Sequence, residues 1–587
     1  MLSLLQRLKQ RKIVQWAIAY AAAAWVSLEV FDLIAEQFFW PVWVRQSATV
    51  LLFFGLFITI VLAWYHGERG RQKVGMVEMV LLIVLLALGG QSVWLLRDRD
   101  NNIEMDPDRP KTVFRAEPLP QNSVAVLPCL NLGGDENKAY FADGLAAELI
   151  TRLSAVSGLR IPSHTSSFSF KGKNSTIEEI ANVLKVRHVL ECDVSGDDSR
   201  LRASARLIDS KTGYTLWSQS YDNTNAQLFS VQQDVAEAVV QNLQIKLGVR
   251  EQQLVRRRWT ENTEAYDEFL RGVKYQLLAP TPENIDKMRQ HFESAIELDP
   301  GFGRGYARLA VTWVYYGNYQ LAPAGEAYAQ VEQLARRAID LDGELYEAYW
   351  ALGWADLAGK YDWQAAEDNF RKTIDLAPGE WGGYHSLGFV LGTVGRIEEA
   401  LEVAKIAVEL DPLAFFPRLG LQVLRTRQRN YEAAIEVYKE QAETHGWNSQ
   451  FLAGTAELLA MVGKEAEARS FLAEFEAMAQ PDPLAQLTAA LTYVILDEKD
   501  RALAIVEQWE SYAENSNEHN LAGGLASVYA EFGNSERAMY WLTRSRSAQS
   551  MWMLFLDDEP FDSLREDSRF VALVRELNLP EDVYLYK

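Results

Sequence analysis

One histidine stands among hydroxyl side chains in the segment GLRIPSHTSSFSFKG, residues 158–172. The cluster consists of Ser163, His164, Thr165, Ser166 and Ser167. A hydroxyl beside an imidazole is the arrangement of nucleophilic catalysis, in which the histidine acts as the base. That chemistry also uses a carboxylate to orient the histidine, and no Asp or Glu lies within ten residues on either side. The residues therefore favour a structural role for His164, and a hydrolase is the least favoured function.

Other residues with chemical potential are few. Cys129 and Cys192 match no zinc spacing, although they could form one disulfide in an oxidising compartment. Asp143 could be a metal ligand, but its place before an apolar helical pattern favours a helix cap. Gly133 and Gly134 lack the lysine-containing pattern of a phosphate-binding loop. We therefore predict no catalytic residue, no metal, no cofactor and a chain that is not an enzyme.

The first 100 residues contain three apolar runs, at about residues 13–34, 47–65 and 76–96. The second run carries no charge and has about the ~20 residues needed to cross a hydrocarbon core. We therefore predict a module of three transmembrane helices. Four basic residues precede the first run, one follows it and three lie in the next loop, which places the amino terminus in the cytoplasm. The body would then lie in the periplasm of a bacterium, or in the cytoplasm if the first run does not span.

The charge of the body limits its partners. The formal net charge is −22, yet residues 1–100 contain ten basic and seven acidic side chains. The negative charge therefore belongs to residues 101–587, and so acidic a surface disfavours binding to nucleic acid through its phosphates.

Residues 122–250 predict a small α/β domain, which follows a polar, proline-bearing linker at residues 101–121. Strands are expected at 123–128, 188–194, 201–208 and 214–221, an extended segment at 159–170, and helices at 145–156, 176–184 and 228–247. Thr176 begins the second of these helices with a capping-box sequence.

From residue 261 the pattern changes to helix pairs with an internal period. The phrases ELDP, DLDG, DLAP and ELDP close four successive units at Pro300, Gly343, Pro378 and Pro412. Small residues, such as Gly388, stand where the two helices of a unit would approach closely. The pattern predicts an all-α solenoid of seven to eight repeats over residues 261–550, with a carboxy-terminal cap at 551–587.

The helical part resembles a tetratricopeptide repeat array, and the α/β part resembles the FlgO-like or TolB amino-terminal-like domain. The second resemblance rests on phrases such as RIPSHTSSFSFKG and ARLIDSKTGYTLWSQSYD. Bacterial proteins with this pair often carry an adenylate cyclase or winged-helix module in front, where this chain has its apolar runs. The resemblance implies a multidomain protein with an N-terminal three-helix transmembrane module, a small α/β domain and an all-α tetratricopeptide-repeat solenoid. In this family an arginine usually precedes the TSSF segment, which implies no catalytic role for His164.

The repeat frame also implies which side chains could contact a partner. Positions two, five, nine and twelve of each first helix are expected on the concave side of the superhelix. The ring-bearing residues in this set are Trp350, Trp354, His385, Phe389 and Phe416. If exposed, they would be anchors for a protein or peptide. The alternative is that they pack between repeats.

We therefore predict a scaffold that is anchored in the bacterial inner membrane and binds proteins or peptides through a periplasmic solenoid. Its amino-terminal helices would contact the lipid bilayer, and it would bind no nucleic acid. The alternative is a signal-transducing receptor in which periplasmic binding acts on the membrane helices. The sequence does not specify the partner, the oligomeric state or a small ligand of the α/β domain.

Overall fold

The computed structural model describes residues 20, 24, 50–59, 61, 119–133, 139–196, 201–223, 228–515 and 520–585. The chain divides into two compact units, Met1–Glu117 and Pro118–Lys587. Each unit is described by itself.

The predicted transmembrane module in the first unit is not supported. Within the described part of the chain, no helix is both long and apolar enough to cross a membrane. Apart from residues 20 and 24, the predicted span 13–34 lies outside the described residues, as do the span 76–96 and most of the linker 101–121. The fold-class prediction is wrong in this part, and with it the predicted contact with the lipid bilayer loses its support.

The α/β domain is built around a sheet in which β1, β3, β4 and β5 are neighbours in that order, and β2 also pairs with β3. The strands are β1 Val124–Val126, β2 Leu130–Asn131, β3 His188–Gly196, β4 Leu201–Asp209 and β5 Thr215–Asn223. β1 and β2 run parallel to β3, whereas β3, β4 and β5 are antiparallel. The helices are α1 Ala139–Ser154, α2 His164–Phe168, α3 Ile177–Leu184, α4 Leu228–Asn242 and α5 Val249–Arg256.

Alternating residues of the central strands enter two cores. Leu190 on β3 joins Leu149 of α1 and Val235 of α4 in one apolar cluster. Val189, the preceding residue, joins Ile180 of α3 in a second cluster. Because successive side chains of a strand point to opposite faces, helices cover both faces of this part of the sheet.

Two local predictions in this domain are wrong and one is confirmed. Asp143 lies inside α1, where its carboxylate pairs with the Lys171 ammonium at 2.6 Å, and it caps no helix. Residues 159–170 are not wholly extended, because Ser163 accepts a hydrogen bond from the Thr165 amide and caps α2. The capping box of α3 at Thr176 is present as predicted.

Cys129 and Cys192 form a disulfide, with their Cα atoms 4.6 Å apart. The bond ties the loop between β1 and β2 to the middle of β3. Both sulfur-bearing side chains are buried in the core beneath α1.

Eight consecutive helix pairs follow in the described residues, and each pair forms one repeat. The first helices of repeats 1 to 8 are α6 Thr263–Gln276, α8 Gly303–Asn318, α10 Tyr346–Trp354, α12 Trp381–Thr393, α14 Phe415–Arg427, α16 Ser449–Met461, α18 Pro483–Ile495 and α20 Asn520–Glu531. The second helices are α7 Pro282–Leu298, α9 Ala324–Leu341, α11 Trp363–Leu376, α13 Ile397–Leu410, α15 Tyr431–His445, α17 Glu465–Glu476, α19 Lys499–Asn515 and α21 Ser535–Ser547. These pairs confirm the predicted tetratricopeptide repeats.

The chain then changes from regular helix pairs to short elements. Two 3₁₀ helices span Met551–Leu554 and Glu559–Leu564, and they precede α22 Ser568–Glu576 and α23 Glu581–Tyr584. We call Met551–Leu585 the carboxy-terminal segment. Its apolar side chains belong to the same core as those of repeats 2 to 8.

Candidate protein-binding surface

The structure buries three of the five ring-bearing residues predicted to contact a partner. Trp354, His385 and Phe389 are only 5%, 9% and 8% exposed. Phe416 is 45% exposed, and Trp350 is half-buried. The first three side chains are therefore packed between helices and other elements. The partner-binding role of the five residues stays a prediction.

Contacts within a repeat and between neighbouring repeats account for much of this burial. The Trp354 ring meets Phe370 edge-on, with ring centroids 6.2 Å apart. The Trp350 indole N–H donates to the Ser386 hydroxyl of the next repeat at 3.1 Å. His385 and Phe389 line a cavity of about 10 Å³ between repeats 4 and 5, which has room for about one water molecule. These contacts leave no groove for a partner's side chain at that point.

The carboxy-terminal segment covers the remaining side of Phe389. The Phe555 ring stands perpendicular to the Phe389 ring, with centroids 6.3 Å apart. Trp552 packs directly against Gly523 in the first helix of repeat 8. The segment therefore contacts both the middle of the array and its last repeat.

Charged groups hold the segment to repeat 5. The fully buried Arg427 donates to the Leu554 carbonyl, lies 3.5 Å from the Asp557 carboxylate and has its guanidinium 5.5 Å from the centroid of the Phe555 ring. Burial alone would lower the pKa of Arg427, but the negative charge of Asp557 raises it above its usual value. Arg427 therefore stays charged. It is a buried cation of the array, and its partner is the buried Asp557 carboxylate of the segment.

Two further contacts with repeat 5 lie nearer the surface. The Arg429 guanidinium pairs with the Asp562 carboxylate. The Tyr431 hydroxyl donates to the Glu559 carboxylate. Three acidic side chains of the segment thus meet three donors of repeat 5, counting Arg427.

The last part of the segment contacts repeats 3 and 4. The Trp363 indole N–H lies 3.1 Å from the Leu577 carbonyl and 3.0 Å from the Asn578 carbonyl. The Tyr584 hydroxyl donates to the Thr393 carbonyl at 3.0 Å. The region predicted as a cap thus contacts repeats 3, 4, 5 and 8. The sequence analysis did not predict these contacts. Two sequence features point to this contact, namely the acidic run LFLDDEPFDSL and the basic run LRTRQRN.

The α/β domain contacts the first two repeats of the array. Arg304 of repeat 2 is 1% exposed and pairs with Glu148 of α1 and, at 3.1 Å, with Glu347 of repeat 3. The Tyr140 hydroxyl of α1 donates to the Asp267 carboxylate of repeat 1. The array is therefore bound on one side by α1 and on another by the carboxy-terminal segment.

The hydroxyl cluster of residues 163–167 belongs to the same junction. Ser163 and Ser166 both donate to the carboxylate of Asp411, which precedes repeat 5. Burial raises the pKa of Asp411 to about 6. Desolvation, and then the charge of Arg308, lower the pKa of His164 to about 4, and its imidazole takes no part in these hydrogen bonds. The geometry is a contact between the α/β domain and the array, and it is not a serine–histidine–carboxylate relay.

Metal coordination has no candidate in the described ranges. Within them, no group of three or more His, Cys, Asp or Glu side chains is arranged to hold a metal ion.

No protein-family model matches the chain. A curated protein named "Putative adenylate cyclase 3", from Rhizobium meliloti (strain 1021), is 35% identical over 245 residues, which are 41% of this chain and 42% of that protein. The chain thus spans less than half the length of this relative. The similarity contradicts the prediction that the chain is not an enzyme, and that prediction is withdrawn.

Similar solved structures include PilF of Pseudomonas aeruginosa, which is 19% identical with a TM-score of 0.29 over 36% of this chain and 91% of that chain. YrrB, a tetratricopeptide protein with an unusual peptide-binding site, is 17% identical with a TM-score of 0.25 over 36% and 96%. A thermophilic tetratricopeptide protein of Thermus thermophilus is 21% identical with a TM-score of 0.27 over 33% and 99%. These likenesses concern the helical repeats and say nothing about function.

Proposed function

We propose that the chain is a protein-interaction scaffold in which the tetratricopeptide array is the binding element. The observation that carries this proposal is the set of contacts between repeats 3, 4, 5 and 8 and the carboxy-terminal segment. There the array holds a polypeptide that is not part of its helix pairs, through ring contacts, ion pairs and hydrogen bonds to carbonyl groups. Helical repeat arrays present extended surfaces of this kind to partners.

We infer that the α/β domain is a docking unit of the FlgO-like or TolB amino-terminal-like type. The phrases RIPSHTSSFSFKG and ARLIDSKTGYTLWSQSYD support this assignment. Its contacts with repeats 1 and 2, through Tyr140 and the buried Glu148, support a fixed orientation of this unit on the array.

Site-specific photo-crosslinking in the cells that make the protein tests the scaffold. The photoreactive residue p-benzoylphenylalanine is placed at Phe416, which is exposed on repeat 5, and at Val249, which is 75% exposed at the start of α5 in the α/β domain. Discrete protein adducts at position 416 that are absent at position 249 are the expected result. The absence of adducts at position 416, and also at the exposed Trp447 and Tyr512 further along the array, would overturn the scaffold proposal.

For the location of the body we propose an oxidising compartment, the bacterial periplasm. The Cys129–Cys192 disulfide supports this proposal, because such bonds persist in oxidising compartments and are rare in the cytosol. Cells are quenched with acid, alkylated with and without reduction, and the peptides with these two cysteines are weighed. A peptide pair joined by the disulfide is expected, and alkylation of both thiols without reduction would overturn the location.

A second candidate function is adenylate cyclase activity, which the 35% identity to the Rhizobium protein favours. In this reaction the ribose 3′-hydroxyl of ATP attacks the α-phosphorus, and pyrophosphate leaves. Purified full-length chain is incubated with ATP and Mg²⁺ or Mn²⁺, and cyclic AMP is measured by mass spectrometry. Cyclic AMP that increases with protein concentration would establish the activity, and a yield equal to that of heat-denatured protein would exclude it for this chain.

A further inference from the structure

We propose that the face formed by repeats 4, 5 and 8 recognises segments that combine aromatic and acidic residues, and that Met551–Leu564 occupies this face as an intramolecular ligand. This inference rests on the proposed scaffold function and adds the chemistry of its partner. The partner is a protein with an exposed aromatic and acidic segment that competes with the chain's own.

Charge complementarity is the first argument. The sequence MWMLFLDDEPFDSL of residues 551–564 contains four acidic residues and no basic residue. The last turn of α14 and the loop that follows it in repeat 5 contain Arg425, Arg427 and Arg429 within the run LRTRQRN. In a chain of net charge −22 this is a local concentration of positive charge, and Asp557 and Asp562 are the anions that meet it.

Shape complementarity is the second argument. The Phe555 ring meets the Phe389 ring at a right angle, and the Arg427 guanidinium lies 5.5 Å from the centroid of the Phe555 ring. Trp552 lies where a β-carbon at Gly523 would stand, so the absent side chain of Gly523 makes room for the indole. Two rings at a three-residue interval thus occupy two different recesses of the array. A competitor must carry aromatic residues at a similar spacing.

The contacts differ in depth, which gives a competitor a point of entry. Phe389, Arg427 and Asp557 are buried, whereas the side chains of the pair between Arg429 and Asp562 are 40% and 35% exposed. Exposed ion pairs contribute little to stability and are screened by salt. An incoming acidic segment can therefore replace Asp562 at Arg429 before the aromatic residues exchange.

A labelled peptide with the sequence of residues 551–564 tests the inference on the full-length chain. One variant, Phe555→Ala with Asp557→Asn, loosens the chain's own segment and leaves the array unchanged. A matched control, Phe471→Ala with Asp500→Asn, removes the same residue types from repeats 6 and 7. We expect the peptide to bind the first variant at least about tenfold more tightly than the wild-type chain or the control, by fluorescence anisotropy.

A second peptide with the same two substitutions should bind the loosened chain about tenfold more weakly than the first peptide. The inference is overturned if the loosened chain is folded by circular dichroism and binds the first peptide no better than the wild type does. Equal binding of the two peptides would overturn it as well.

Hydrogen exchange on the wild-type chain keeps the inference testable if the double variant does not fold. Excess unlabelled peptide should speed amide exchange in residues 551–564 of the chain and leave α19 unchanged. No change in either region would overturn the proposed competition.

Different results would overturn the scaffold function and the proposed chemistry of its partner. Adducts at Phe416 that persist in excess peptide would leave the scaffold in place and overturn only the partner chemistry. Peptide binding to the loosened chain without any cellular adduct would overturn only the scaffold function.

Discussion

At the scale of single residues, a substitution at Trp354 tests whether its ring is packed in the core or exposed to a partner. Because its ring is 5% exposed and meets Phe370, Trp354→Ala should leave a cavity and lower the free energy of unfolding by about 3–5 kcal/mol. Phe416→Ala is the control, since that ring is 45% exposed, and it should change stability by less than about 1 kcal/mol. Urea unfolding followed by circular dichroism measures both. Equal loss in the two variants would contradict the assigned packing.

Asp411 gives the junction between the α/β domain and the array a dependence on pH. Its pKa in the folded chain is about 6, above the ordinary value of 3.8, so the folded state binds the proton more tightly than the unfolded state does. The resulting stabilisation is fully present below about pH 4 and is lost as pH rises through 6. Asp411→Asn removes this titration. We expect the stability of the wild type relative to this variant to fall by about 2 kcal/mol between pH 4.5 and pH 7.

The control for this pH series is Asp500→Asn, which changes an exposed carboxylate. It shows how much pH dependence an Asp→Asn substitution produces at an exposed position. Glu380 also titrates in this range, because burial and then the charge of Asp411 raise its pKa to about 7. Asp411→Asn removes that charge, so the measured difference includes the change in the Glu380 titration. A flat difference for Asp411→Asn would show that the carboxylate is solvated in the folded state.

The same residues show what the sequence could and could not predict. The structural role of the hydroxyl cluster followed from its local sequence, which has no acid beside His164. The acid that the hydroxyls do meet, Asp411, lies 248 residues from Ser163, and no local pattern indicates so distant a pair. The frame that selected Phe389 gave its position in the repeat, but its burial depends on Phe555, which belongs to another element.

At the scale of elements, the glycines of the repeats are not equivalent. A β-carbon at Gly353 would lie 2.6 Å from the Phe370 ring, whereas one at Gly388 would meet its nearest neighbour at 3.5 Å. Gly353→Ala should therefore overpack repeat 3 and cost about 1–3 kcal/mol. Gly388→Ala should be neutral or stabilise its helix by up to about 1 kcal/mol, because alanine favours helix interiors. Thermal melts of the two variants test this contrast, and a larger loss at Gly388 would contradict it.

The helical repeats were the most predictable elements, because several weak signals recur in one frame. Helices end at Leu298, Leu341, Leu376 and Leu410, each two residues before the phrases ELDP, DLDG, DLAP and ELDP finish. Single signals failed more often. Asp143 has the composition of a cap, yet it lies inside α1 because that helix begins at Ala139. The apolar run 47–65 has the composition of a membrane span, yet among the described residues no helix is long and apolar enough to cross a membrane.

At the scale of the whole molecule, the array is held from two sides. The α/β domain joins it through Glu148 and Tyr140, and the carboxy-terminal segment joins it through Phe555 and Asp557. Each contact links residues more than a hundred positions apart in the sequence. The stability of the middle repeats therefore depends on both, which differs from an open solenoid, where each repeat depends on its neighbours alone.

Arg304 is the place to test this dependence. Burial would lower the pKa of Arg304, but the charges of Glu148 and Glu347 raise it above its usual value, so the side chain stays charged between two buried carboxylates. Arg304→Met leaves Glu148 without this cation and should cost about 3–5 kcal/mol. We also expect faster tryptic cleavage at Arg257 and Arg258, in the stretch that joins the α/β domain to repeat 1.

Adding Glu148→Gln to Arg304→Met separates charge from packing. The second substitution removes the buried anion that the first leaves unpaired, so it should recover at least about half of the lost stability and slow the cleavage again. Glu148→Gln alone leaves Arg304 paired with Glu347 and should cost less than Arg304→Met does. Urea unfolding and timed proteolysis of the four chains complete the cycle. If the double variant is as unstable as the sum of the two single variants, the ion pair does not hold the α/β domain on the array.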